Sequence, residues 1–327
     1  MTNTVLLSLG GNAILPGRGP GSIEEQFRVT RSSMVHVADL LESGARVVLV
    51  HGNGPIVGNI LLRNELARDR IPPMPLDVCG ADSQGGIGYM IQQTLQNVLH
   101  ERGIAREVAT VLTQVVVDSD DPAFQSPSKP IGPFFSADEA RRHEVRDGWR
   151  MVEDSGRGMR RVVPSPRPVR IVEERVIRGL FEAGHVVIAA GGGGIPVVED
   201  TRGRLRGVEA VIDKDRTAIL LARAVGADVV INVTAVDRVA IHFGTPRQQD
   251  LECIELDDAR RFLAEGHFPP GSMGPKVEAA IEFLEHGGRE VIITSPPSVA
   301  LALRGEAGTR IVRTTTTARV FSSRATP

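Results

Sequence analysis

Three times in this chain a short apolar run breaks directly into glycines. Residues 4–9 (TVLLSL) lead into Gly10-Gly11-Asn12, residues 46–50 (RVVLV) into His51-Gly52-Asn53-Gly54, and residues 185–190 (HVVIAA) into Gly191-Gly192-Gly193-Gly194. A strand-sized apolar run, then a glycine loop, then a helical pattern is the unit of a parallel sheet with right-handed crossovers. Open α/β sheets collect ligands at the carboxyl ends of their strands. Bare backbone N–H groups and helix starts at those ends attract anions, phosphate above all. Four glycines in a row leave no Cβ in a ligand's way and adopt positive φ freely.

The rest of the chain fits that frame. Ser22 and Glu25 form a capping box for a helix reaching about residue 43, closed by Gly44. A helix to about residue 66, a loop with Pro72, Pro73 and Pro75, a long helix over about 83–102 and a single strand over 107–117 follow. Further helices are expected over 172–183 and 255–265, with a strand over 227–233 between them. Another helix starts within 271–276, where Pro275 suits the first turn, and late strands are expected at 290–294 and 309–312.

The expected architecture is therefore α/β, a three-layer αβα sandwich with a central, mainly parallel sheet. Residues 119–168 stand apart, with prolines, charges and too few apolar residues for a core of their own. They read as a small protruding subdomain with a short helix over 137–146 and two short segments around a turn at 154–158. We expect one domain over 1–327, with an N-terminal lobe (1–118 and 169–186), this lid (119–168), a C-terminal lobe (187–313) and a polar tail (314–327).

Composition singles out the residues that do the chemistry. Of 38 basic residues, 35 are arginine, and the three lysines are Lys129, Lys214 and Lys276. Arginine here supplies generic positive charge, so a retained lysine is needed as a compact ammonium on a slim stem. Lys214 lies between Asp213 and Asp215 at a loop-to-helix junction, Lys276 at another helix start, and Lys129 in a proline-bracketed loop of the subdomain. An isolated Asp-Lys-Asp is more often a solvated helix cap. Three lysines among three glycine loops instead suit transfer of a phosphoryl group, which needs positioning and positive charge on the oxygens.

Rival readings stay in view. Gly52 to Gly58 has the GxGxxxG look of a dinucleotide-binding turn, but no acidic residue ends the second strand to hold a ribose. His51 is as readily a packing residue as a base. No GxxxxGK[ST] occurs, so the chain is not a P-loop enzyme. No metal-ligand cluster stands out, so Mg²⁺ is expected to arrive on nucleotide phosphates. A net charge of −2 gives no electrostatic case for nucleic acid or a membrane surface. The two cysteines, Cys79 and Cys253, form no disulfide or zinc pattern. With no secretory signal or spanning run visible, the expected location is the cytoplasm.

Longer stretches carry a resemblance. LGGNAI (9–14), HGNGPIVGN (51–59), PMPLDVCGADSQGGIGYMIQQ (73–93), VDSDDPAFQSPSKPIGPFF (117–135) and GRGMRRVVPSPRP (156–168) come in order. IAAGGGGIPV (188–197), GVEAVIDKD (207–215) and PGSMGPKVEAAIEFLEHGG (270–288) complete the set. Together they resemble the carbamate kinases within the amino acid kinase fold, over nearly the whole chain.

The resemblance implies reversible, Mg²⁺-dependent transfer between carbamoyl phosphate and ADP, giving ATP and carbamate, in a homodimer. It implies that Lys214 and Lys276 flank the transferred phosphoryl, that Asp215 holds their ammonium groups, and that Lys129 touches the carbamoyl phosphate side from the lid. Gly10, Gly11, Asn12, Gly52, Asn53 and Gly54 would bind that side as well. Gly192, Gly193, Asp213, Asp237, Ser272, Met273 and Gly274 would hold the nucleotide. Many related kinases carry a lysine in the first strand where this chain has Ser8, and Lys214 supplies that charge from elsewhere. Arg238, Ala240 and Met159 also depart from the family's pattern. The alternatives are a same-fold enzyme run toward carbamoyl phosphate synthesis, and a non-catalytic nucleotide or oxyanion binder.

Overall fold

The computed structural model describes residues 3–15, 21–154, 156–269 and 271–314. Most of the expected tail, 315–327, lies outside the described residues. The central sheet has eight strands in the order Cys253–Glu255, Thr309–Val312, Glu290–Thr294, Val229–Val233, Thr4–Leu9, Arg46–His51, Val186–Ile188, Val108–Thr110. The six from Glu290–Thr294 onward run parallel; Thr309–Val312 turns antiparallel against Glu290–Thr294 and carries Cys253–Glu255 with it.

Strand residues point alternately to the two faces. On one face Val5, Leu7 and Leu9 pack against Met34, Val37 and Leu40 of helix Ile23–Glu42 and Ile87, Ile91 and Leu95 of helix Leu76–Glu101. On the other, Leu6, Val48 and Val50 pack with Ile219 and Phe283 from helices Lys214–Ala224 and Met273–Glu285. Every strand of the sheet's middle is thus buried on both sides, as a parallel sheet requires. The three-layer expectation holds.

Two expectations change in the body. The long helix starts at Leu76, seven residues before position 83, although glycines crowd its first half. Its first turn is held from afar, because Glu209 Oε1 accepts the Leu76 N–H at 2.8 Å. Gly88 on its buried face allows close approach, since a Cβ there would lie 2.3 Å from Thr110 Cγ2. The strand expected over 107–117 is two, Val108–Thr110 and Gln114–Val117, in different sheets. At the break the buried Gln84 side chain accepts the Thr113 N–H (2.8 Å) and donates to its carbonyl (3.1 Å), so the backbone leaves the sheet without orphaned groups. Gln114–Val117 then pairs with Ile195–Glu199 and Pro168–Ile171 in a second, four-stranded sheet.

Residues 129–163 form a three-stranded antiparallel sheet, Lys129–Phe135, Met159–Val163 and Arg150–Glu153, with helix Ala137–Asp147 packed on it. Lys129 is therefore the first residue of a strand rather than part of a loop. Phe135, His143 and Trp149 stack together there, His143 lying parallel to Trp149 at 4.3 Å. Ile131 and Val163 bury against Leu76 of the body.

Candidate active site

The carboxyl ends of Thr4–Leu9, Arg46–His51 and Val229–Val233 open into a cleft of about 940 Å³, roofed by the three-stranded unit. Lys129, Lys214, Asp213, Asp215 and Lys276 all line it. Lys214 begins helix Lys214–Ala224, and Asp213 caps that helix by accepting the Asp215 N–H at 2.9 Å. Residues 213 and 215 then lie at one helix end, where the N-terminal dipole favours carboxylates.

The two body lysines share one carboxylate. Lys214 Nζ donates to Asp215 Oδ1 at 2.9 Å and Lys276 Nζ to Asp215 Oδ2 at 2.8 Å. Burial would push the Asp215 carboxyl up, but the flanking ammonium groups outweigh it and hold it well below the usual carboxylate range. Burial pushes the Lys214 ammonium down, aided by the charge of Lys276 and opposed by Asp215. A second Lys214 hydrogen goes to Ser8 Oγ at 2.5 Å, so the first-strand position without a lysine serves as an acceptor for one. An ammonium has three donors, and these two bonds leave the third for a ligand. Lys129 Nζ donates instead to Asp213 Oδ2 at 2.8 Å.

The glycine loops are glycine for contact reasons as well as for ligand access. A Cβ at Gly191 would lie 2.2 Å from His51 Nε2, and one at Gly192 2.2 Å from Asn53 Nδ2. His51 is buried beneath this loop, and desolvation lowers its pKa to about 4. Its burial and its contact with the Gly191 loop favour the packing reading. Asn53 donates to Ser83 Oγ at 2.8 Å, and Gln84 Nε2 reaches the Gly191 carbonyl at 3.0 Å.

Gly10, Gly11, Gly52, Asn53, Gly54, Gly192, Ser272 and Met273 line the cleft as well. Asn12 lies in the turn Gly11–Ala13, its side chain outside what is described. Gly193, Asp237 and Gly274 stand back from the cleft wall. The Gly193 carbonyl accepts Thr217 Oγ1 at 2.8 Å, Asp237 accepts the Ser295 hydroxyl, and the Gly274 N–H bonds to the Pro269 carbonyl at 2.9 Å.

Sequence reasoning missed Phe134, Arg157 and Arg160, which line the cleft from above with both guanidinium groups over the Phe134 ring at 4.7 and 5.2 Å. It also missed Ser83 and Gln84 behind the loops. The arginines of GRGMRR were the available signal for part of the first set, but nothing in that stretch points to Phe134, which lies in KPIGPFF.

Among the described residues one cluster has metal-ligand geometry, Glu65, His143 and Asp147, where the sequence suggested none. It lies outside the cleft, with Arg68 and Arg146 already paired to its carboxylates at 2.8–2.9 Å. It is an ion-pair network joining the lid helix to the body helix Gly54–Ala67.

The family model for the amino acid kinase family matches residues 3–295. A carbamate kinase of Thermococcus kodakarensis is 48% identical over 312 residues, covering 94% of this chain and 99% of that one. The carbamate kinase-like protein YahI of Escherichia coli is 49% identical over 319 residues, 96% and 100% of the two chains. Among solved structures, a carbamate kinase of Giardia lamblia bound to AMP-PNP superposes with a TM-score of 0.90 at 42% identity, covering 95% of this chain and 98% of that one. The chain belongs to the amino acid kinase family, among the carbamate kinases.

Proposed function

We propose that the protein transfers a phosphoryl group reversibly between carbamoyl phosphate and ADP, releasing carbamate and ATP. The observation that carries this reading is the pair of ammonium groups clamped on one buried carboxylate at the head of a glycine-walled cleft. A β-phosphate oxygen of ADP attacks phosphorus, the bond from phosphorus to the carbamate oxygen breaks, and carbamate leaves as an anion. No proton has to move, so the protein's task is in-line positioning and charge. Lys214 and Lys276 lie on the oxygens of the transferred group, and Asp215, bonded to both, aims the two ammonium groups. Lys129 reaches the carbamoyl phosphate side, where Gly10, Gly11 and Gly52 also line the cleft wall; the Gly10 and Gly52 N–H groups are themselves bonded to the Val233 and Leu9 carbonyls.

Both carboxylates at the head of the Lys214 helix are taken by lysines. That donor set fits Mg²⁺ carried on nucleotide phosphates better than Mg²⁺ held by the protein. Bound that way, the ion neutralises charge on the β- and γ-oxygens. The nucleotide side is formed by Gly192, Ser272 and Met273, with Val236 and Arg238 from the neighbouring loop. A homodimer in the cytoplasm completes the proposal. Among the described residues no helix is long and apolar enough to cross a membrane.

The test is ATP formation from carbamoyl phosphate, ADP and Mg²⁺ in a coupled assay. Turnover well above that of Lys214→Ala is expected. An active-site titration showing ADP bound with no ATP formed would leave a binding protein on this fold.

A further inference from the structure

Asp213 has two oxygens engaged in two different tasks. Oδ1 accepts the Asp215 N–H and caps the helix, while Oδ2, 84 positions from its partner, accepts Lys129 Nζ at 2.8 Å. We propose that Asp213 is a positioning residue that fixes the lid's lysine in register with the Lys214–Asp215–Lys276 cluster. This rests on the phosphoryl-transfer reading above, in which Lys129 meets the substrate.

The two carboxylates of one helix end divide the chain's three lysines. Asp215 takes the two from the body and Asp213 takes the one from the lid. Lys129 needs such a guide more than the others do. Its side chain is 37% exposed, against 13% and 12% for Lys214 and Lys276, so packing does little to fix its flexible stem. Asp213 is itself held, 14% exposed, with one oxygen tied to the helix. Three ammonium groups against two carboxylates leave this five-residue cluster a net charge of +1, which suits a phosphoryl anion and not another cation. An exposed ion pair alone contributes little to stability. A lysine held to a rigid helix end contributes through where its charge is placed, which is worth more in catalysis than in folding.

Asp213→Asn separates the two tasks. Asparagine caps helices as well as aspartate, so its Oδ1 still accepts the Asp215 N–H. Its NH₂, however, turns a donor toward the Lys129 ammonium, which has donors only. In the full-length protein, kcat/KM for carbamoyl phosphate is measured with ADP and Mg²⁺ for wild type, Asp213→Asn, Lys129→Met and the double variant.

Asp213→Asn is expected to keep the wild-type melting temperature and lose about tenfold in kcat/KM, and Lys129→Met about 10²-fold. The double variant is expected to match Lys129→Met within about twofold, since the guide has nothing left to guide. Losses that multiply in the double variant, or an Asp213→Asn enzyme within about twofold of wild type, overturn the proposal. If Asp213→Asn melts early, Asp213→Ser, a capping residue without charge, supplies the same comparison. A wild type that makes no ATP breaks the reading of the function itself, whereas multiplying losses in an active wild type break only the role of Asp213.

Discussion

Lys214 and Lys276 enter the cleft from the body with about an eighth of each side chain exposed, and Lys129 enters from the lid with over a third exposed. The body pair is held by one buried carboxylate and Ser8, at helix starts beside the carboxyl end of a central strand of the eight-stranded sheet. The lid lysine has one carboxylate partner, and its sheet is joined to the body by arginine–carboxylate pairs and a small apolar contact. The same residue type is thus used as a fixed electrostatic tool on one side and a deliverable one on the other. Preorganised charge needs no rearrangement at the moment of reaction. On the proposed reading, a charge carried on the three-stranded unit is delivered when that unit closes, which would let substrates enter before the cleft is complete.

The sharpest way to break that contrast is Lys214→Arg. Charge is kept, but the planar fork cannot donate to Ser8 and Asp215 and still present one compact donor to the phosphoryl group. Loss of a single preorganised donor costs about 10²–10³ in kcat. Steady-state kinetics check it. A kcat within about threefold of wild type would mean that the body side needs only charge, and the distinction between fixed and delivered lysines would fall.

A smaller effect tests how dry the body side is. His51 has its pKa lowered to about 4 from 6.5 by burial, so the folded state resists protonation that the unfolded chain accepts. The folded value lies below the unfolded one, so the contribution is complete above about pH 6.5. It is lost progressively as pH falls toward 4, and no further below that. A gap of that size amounts to something on the order of 3 kcal/mol. Denaturant unfolding of wild type and His51→Gln between pH 4 and 7 reads it. The variant is less stable at neutral pH, because His51 packs against Gly191, yet its stability changes less across this window. Parallel pH profiles would show that water reaches His51, and that the loops above it are not the closed floor described here.

The body was the more legible half. Apolar runs ending in glycines marked the strands, and lysine scarcity marked the residues that meet in the cleft, because both are local or compositional signals. What was not legible depended on partners distant in sequence. Glu209 extends the long helix back to Leu76, and Gln84 splits the strand at Thr113, each by a side chain satisfying backbone groups many residues away. Asp237 illustrates the converse. Its loop faces the cleft through Val236 and Arg238, but its own carboxylate turns to Ser295, a choice no pattern around residue 237 reveals. The lid's cleft-facing Phe134 and Arg160 come from two paired strands separated by a long excursion and Arg157 from the turn before the second, so their convergence is a matter of topology.

The smallest expected effect concerns the lid's anchorage. Arg68, just past the helix that begins at Gly54, bridges Glu65 of that helix and Asp147 at the end of the lid helix. Burial would raise the Asp147 carboxyl, but Arg146, Arg68 and His143 bond to it and hold it well below its ordinary value. Arg68→Ala removes one of these three partners and leaves two. A network member with a fifth to a quarter of its side chain exposed is worth about 1 kcal/mol, so the fold survives. A loosened lid spends less time with Lys129 over the cleft. KM for carbamoyl phosphate is therefore expected to rise about threefold to fivefold, in proportion to the fraction of closed enzyme. Once substrate holds the lid down, kcat is expected to stay within about twofold. Kinetics at varied carbamoyl phosphate and fixed ADP separate the two parameters. A fall in kcat with KM unchanged would mean that the anchor sets the geometry of Lys129 in the closed state, and the lid would then belong with the body as a fixed part of the site.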